Sequence, residues 1–173
     1  MPRSFSAGMT IAANDEQSGV VALVFVKLDH DSWDSPIRVV SDGAPYVWNE
    51  GSGGNKEWSP CGFTIALPSD TEEAPFGTIT IANIDKRIGE GVDAITGPVD
   101  CDIWVIKSTE FDQTVSPRTP IGTPAIEATW PGYKLRNFSI NAARATAEIF
   151  VVDPGAEQYG RRARKSSLPG LYV

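Results

Sequence analysis

The sequence predicts a mainly β, antiparallel domain with helix as the minority element. Three observations carry this reading. Sixteen glycines and thirteen prolines punctuate the 173 residues at short intervals. The runs between them alternate apolar and polar residues with period two. With 41% apolar and 21% charged residues, the chain can bury a real core within one domain, or one domain plus an arm.

Taken in order, Ser4–Asn14 is read as a helix inside an N-terminal segment of residues 1–19. The β-rich body spans 20–152. It opens with a strand over Val20–Leu28, followed by Pro36–Val40 and the aromatic segment Tyr46–Trp48, which leads into a flexible loop over Glu50–Lys56 built on Gly51, Ser52, Gly53 and Gly54. Phe63–Leu67 is a further strand, and Gly77–Asn83 sets Ile79 and Ile81 on a buried face against Thr78, Thr80 and Ala82. Over Ile84–Ile95 the apolar residues Ile84, Ile88, Val92 and Ile95 fall four, four and three apart, the period of a short amphipathic helix. Strands resume at Val99–Lys107, Ala125–Trp130, Tyr133–Ile140 and Arg144–Val152, the last two joined by a turn at Asn141 and Ala142. Residues 153–173 form a basic and apolar arm.

Charge is divided unevenly. Residues 1–160 hold 11 Lys/Arg against 22 Asp/Glu, a balance of −11, whereas 161–173 hold Arg161, Arg162, Arg164 and Lys165 and no acid. An acidic body repels phosphate, so specific nucleic-acid binding is not expected. The longest apolar runs fall short of a membrane span, and the first residues lack a secretory pattern, so a soluble protein in a reducing cytoplasm is expected. Two cysteines, Cys61 and Cys101, are too few for a disulfide framework or a four-ligand zinc site, although one isolated disulfide stays open.

Chemistry-bearing patterns are incomplete. His30, the single histidine, has no nucleophile elbow beside it, and reads as part of a polar loop after a strand. Asp29, Asp31 and Asp34 resemble the start of a calcium loop that lacks its glycine and closing glutamate. Asp70, Glu72 and Glu73 could supply paired carboxylates, but Pro68 and Pro75 bracket them as an acidic turn. Gly51–Lys56 lacks the ending of a phosphate loop. Neither an enzyme nor a bound cofactor is expected. Trp104 sits mid-strand and is expected in the core, whereas Trp48 and Trp58 flank the glycine loop and are assigned to a subunit interface, with a carbohydrate cleft as the alternative.

Four segments, taken in order, are informative as a set: Pro36–Asp42 (PIRVVSD), Tyr46–Asn49 (YVWN), Phe63–Asp70 (FTIALPSD) and Thr78–Asp85 (TITIANID). They resemble a family of small tail proteins of long-tailed bacteriophages, domain of unknown function 1833, which is similar in turn to the N-terminal part of the lambda-type minor tail protein of the tail-tip hub. Leu168–Tyr172 (LPGLY) is similar to a short Phe-Pro-Gly ending of those chains. The resemblance spans residues 20–173. It implies a β-barrel or β-sandwich of the tail-tube and hub type, in a structural virion protein at the tail tip of a siphovirus, assembled in the host cytoplasm. The implied partners are further copies in a ring, a trimer favoured and a hexamer second, together with tail-tube, distal-tail and hub or fibre proteins. The lambda-type protein carries a cysteine-rich region that binds an iron–sulfur cluster, and two cysteines forty residues apart do not carry that over. Arg161, Arg162, Arg164 and Lys165 are expected to steer the arm to a neighbour, and Leu168, Leu171 and Tyr172 to anchor it.

Overall fold

The computed structural model describes Ser6, Ala7, Met9, Thr10 and residues 19–51, 53–66, 76–82, 95, 97–141 and 143–151. They form one nine-stranded sheet: β1 (Ala22–Asp29), β2 (Ile37–Val40), β3 (Tyr46–Trp48), β4 (Lys56–Pro60), β5 (Phe63–Ala66), β6 (Phe76–Ala82), β7 (Val99–Lys107), β8 (Ile126–Ile140) and β9 (Arg144–Val151), in the spatial order β3-β4-β2-β1-β7-β8-β9-β6-β5. The mainly β expectation is met. The expected helix at 84–95 lies outside the described residues but for Ile95, as does most of Ser4–Asn14, where Thr10 N–H donates to the Ser6 carbonyl at 3.0 Å in one helical turn.

Two expectations are corrected. The sheet is mixed, because β2 and β4 run parallel through Val39↔Ser59 and Val40↔Pro60. A parallel pair needs a crossover, and the intervening segment 41–55 supplies it by folding β3 back against β4. The sheet is also not closed into a barrel. The pairing with β2 ends just past Pro60, and Phe63–Ala66 pairs instead with β6, through Phe63↔Ile81 to Ala66↔Thr78. Two residues, Cys61 and Gly62, thus lead from β4, next to one edge of the sheet, to β5 at the other. Cys61 N–H donates to the Val40 carbonyl at 3.0 Å, and Ala82 N–H donates to the Gly62 carbonyl at 2.8 Å.

Period-two alternation decides the packing. On one face Val26, Leu28, Ile79, Ile81, Val99, Cys101, Ile103, Leu135, Ala145, Ala147 and Ile149 form the larger core. On the opposite face of β1 and β7, Leu23, Phe25, Trp104 and Ile106 pack under Tyr46, Trp48, Trp58 and Phe111. β1 is therefore buried on both sides, which explains its near-continuous apolar run.

The two strands expected at Ala125–Trp130 and Tyr133–Ile140 are one strand. Its register against β7 shifts between Ile103↔Trp130 and Cys101↔Tyr133, so Pro131 and Gly132 form a bulge, with Gly132 at φ 74° and its N–H on Asp102 Oδ1 at 3.0 Å. At the β8–β9 turn Asn141 Oδ1 accepts the N–H groups of Ala143 and Arg144 at 2.9 and 2.8 Å.

Candidate functional site

β5 is a sheet edge whose ladder partner is β6. Phe63 and Ile65 are half-buried and Thr64 and Ala66 exposed, the alternation of a strand with one wet face. Natural edges are blunted by shortness, a charge, a proline or a bulge, and Phe63–Ala66, only four residues long, carries no charge, proline or bulge. Beneath this edge lies a pocket of about 220 Å³, lined by Val24, Ser41, Phe63, Ile65, Ile103, Val105 and Trp130. It exists because the chain leaves β2 after β4 and pairs with β6 as β5, while β2 leaves β1 after Ser41. Ser41 holds that point: its N–H donates to the Val24 carbonyl and its Oγ accepts the Val24 N–H, both at 2.9 Å. The lining is apolar apart from Ser41, so the pocket suits hydrocarbon rather than a polar metabolite.

The polar clusters hold loops in place. Tyr46 Oη donates to Asp42 Oδ2 at 2.6 Å, and Arg118 Nη1 donates both to the same carboxylate oxygen and, at 2.7 Å, to Tyr46 Oη. Burial pushes the Asp42 carboxyl up, but the Tyr46 hydroxyl, the Gly43 N–H and the Arg118 charge outweigh it and hold the group below its ordinary range. Burial and the same hydrogen bond to Asp42 raise the Tyr46 phenol. Main-chain bonds from Arg118 to Pro45 and from Val47 to Arg118, at 2.8 and 2.9 Å, tie the segment between β7 and β8 to β3. Arg38 donates to Glu50 Oε1 from Nε at 3.1 Å and Nη2 at 2.8 Å, fixing the start of the glycine loop. Glu127 receives Lys107 and both the N–H and Oγ of Ser6, each at 2.9 Å, which anchors the N-terminal turn to β8.

The assignment of Trp48 and Trp58 to an interface or a sugar cleft is corrected. Their side chains are 1% and 0% exposed, stacked on each other with centroids 5.5 Å apart and edge-on to Phe25 and Trp104. Neither offers a ring face to a glycan or a neighbour. Trp48 lies on β3 and Trp58 on β4, and this pair of strands folds both rings inward over Phe25. Trp104 is core as expected. Arg161, Arg162, Arg164, Lys165, Leu168, Leu171 and Tyr172 lie outside the described residues.

His30 sits in a tight turn, its Nδ1 accepting the Ser32 N–H at 3.1 Å. Cys61 and Cys101 form no disulfide with each other, and burial with the charges of Asp102 and Asp100 pushes the Cys101 thiol up to about 12. Among the described residues no three His, Cys, Asp or Glu side chains are grouped to hold a metal ion, and no helix is long and apolar enough to cross a membrane. Sequence reasoning passed over the β5 edge. The alternation over Phe63–Ala66 was visible, but nothing local distinguishes an edge strand from an inner one.

Fold and site together define a β domain in which, among the described residues, the β5 edge adjoins an apolar pocket. The chain belongs to the family described as a domain of unknown function, DUF1833, whose profile matches residues 9–162. No match is found among curated proteins.

Proposed function

We propose that the protein is a structural, non-enzymatic component of the tail tip of a long-tailed bacteriophage, a hub or baseplate subunit that joins the tail tube to the receptor-binding assembly. Family membership and the ordered resemblance of its strands to small tail proteins support this reading. The single observation that carries it is the β5 edge: short, uncharged, free of proline over Phe63–Ala66 and set over an apolar pocket, it suits pairing with a strand of a neighbouring subunit. A ring needs two different surfaces that meet head to tail. The edge is one, and the basic, apolar arm of residues 161–173 is the other. A threefold ring is favoured over a sixfold one, because the hub proteins that the chain resembles are trimeric.

Purified virions provide the test. Mass spectrometry of isolated tails should find the chain at three or six copies per particle, and its absence from tails, or a single copy, would refute the reading. No observation favours the carbohydrate alternative, since Trp48 and Trp58 are enclosed.

A further inference from the structure

The β5 edge and the pocket under it describe their own occupant. An incoming strand on such an edge satisfies the outer row of main-chain groups, and its alternate side chains enter the pocket beside Phe63 and Ile65. The occupant is therefore short and extended, uncharged where it pairs, with apolar residues two apart. Its outward residue meets an uncharged surface, because Thr64 lies across from Thr80, and Thr80 from Thr146, with the last two hydroxyls 3.3 Å apart.

We propose that Leu171–Val173 of a second copy of this chain occupies the edge, Leu171 and Val173 entering the pocket and Tyr172 lying outside beside Thr64. The inference rests on the ring-forming reading above and names the contact that joins one subunit to the next. Three features select this segment. Its residues alternate as the edge requires, and they follow Pro169 and Gly170, so no proline falls in the paired stretch. A cavity of roughly 150 Å³ holds a benzene molecule, so a pocket of about 220 Å³ has room for two aliphatic side chains. Arg161, Arg162, Arg164 and Lys165 stand just before it in the sequence, against the −11 balance of residues 1–160.

Chain length lets the segment reach this edge in its own copy and in a neighbour alike, so it is the ring-forming reading that selects the neighbour. β9 and β5 flank β6, with Phe150 opposite Phe76 and Ala66 opposite Thr78, so Val151 lies at the Ala66 end of the sheet. Two strand spacings cover about 10 Å. Nineteen residues separate Val151 from Leu171, a contour of roughly 63 Å, in a domain whose radius of gyration is about 16 Å.

The test uses the full chain with Cys61→Ser, so that the half-buried thiol next to β5 does not compete. One preparation carries Thr64→Cys and the other Tyr172→Cys, and the two are mixed and oxidised after circular dichroism shows native strand content. A disulfide between one chain of each kind is expected, and adding Leu171→Asp to the Tyr172→Cys chain should abolish it. A chain carrying both cysteines should give covalent oligomers. Closure within a single chain, or no cross-link up to the solubility limit, overturns the proposal. In the unmodified chain, hydrogen exchange at the Phe63 and Ile65 amides, the ones the β6 register turns outward, should slow as concentration rises, and a constant rate counts against docking. Detection of the chain in virion tails without the cross-link leaves the tail reading standing and removes this one. The cross-link in a chain absent from tails does the reverse.

Discussion

Cys61 donates its backbone N–H to the Val40 carbonyl at 3.0 Å, and this bond marks the point where the sheet stops closing on itself. Before it, the strand runs along β2; after it, past Gly62, the same stretch of chain runs along β6. The gap left between β5 and β1 is the pocket, and the outer side of β5 is the edge on which the functional reading rests.

The two thiols should report this geometry separately. Cys61 is half-buried beside the edge, its Sγ donating to the Ala82 carbonyl at 3.4 Å, while Cys101 is enclosed with its thiol pushed up to about 12. A thiolate reagent at neutral pH should label Cys61 alone in the folded chain and both after denaturation. Labelling of Cys101 at a comparable rate in the folded state would show that the larger core is open.

The aromatic cluster should behave as core. Trp48→Ala or Trp58→Ala is expected to cost about 3 to 5 kcal/mol, measured as the shift in urea midpoint. The Nε1 groups of both are buried without a hydrogen-bond partner among the described residues. Trp58→Phe, which deletes such a donor while keeping an aromatic ring, should therefore cost far less than Trp58→Ala. Glycan titrations should leave tryptophan fluorescence unchanged.

Asp42, Tyr46 and Arg118 should limit stability at both ends of the pH scale. The folded Asp42 pKa lies below its unfolded value of about 3.9, so its contribution is full above about pH 4 and is lost as pH falls through the lowered folded value. The folded Tyr46 pKa lies above its unfolded value of about 10, so its contribution is full below that pH and is lost as pH rises through the raised value. Urea midpoints measured across pH should show a shallower acid limb for Asp42→Asn and a shallower alkaline limb for Tyr46→Phe. Limbs as steep as those of the unmodified chain would contradict the assignment.

At the bulge of β8, Gly132 has φ 74°, and an added Cβ would meet nothing within 4 Å. Gly132→Ala should cost roughly 1 to 2 kcal/mol from backbone strain alone. Gly62→Ala, with open space and an ordinary φ, should be close to neutral. Equal midpoints for the two variants would show that the bulge does not require its glycine.

What the sequence conveyed was local. Alternation placed β1, β6, β7 and β9 within two residues of their observed bounds, because each has one face or both against a core and the pattern is periodic. β4 was missed because Lys56–Pro60 offers a single large apolar residue, Trp58, and owes its strand to the partners β3 and β2. The burial of Trp48 and Trp58 follows from that hairpin folding over Phe25, a long-range event with no local signature. The open edge depends on where Pro60 ends one ladder and Phe63 begins another, which is likewise a property of the whole sheet.

If the protein is an assembly subunit whose β5 edge is covered by its neighbour, a tail-tip reconstruction by electron microscopy will show that contact. Three copies in a closed ring, or six, are expected, each with an extended segment of the adjacent copy paired along Phe63–Ala66 and apolar side chains in the pocket above Ile103 and Trp130. A tail tip without this chain, or one in which the β5 edge of every copy faces solvent, would contradict this expectation.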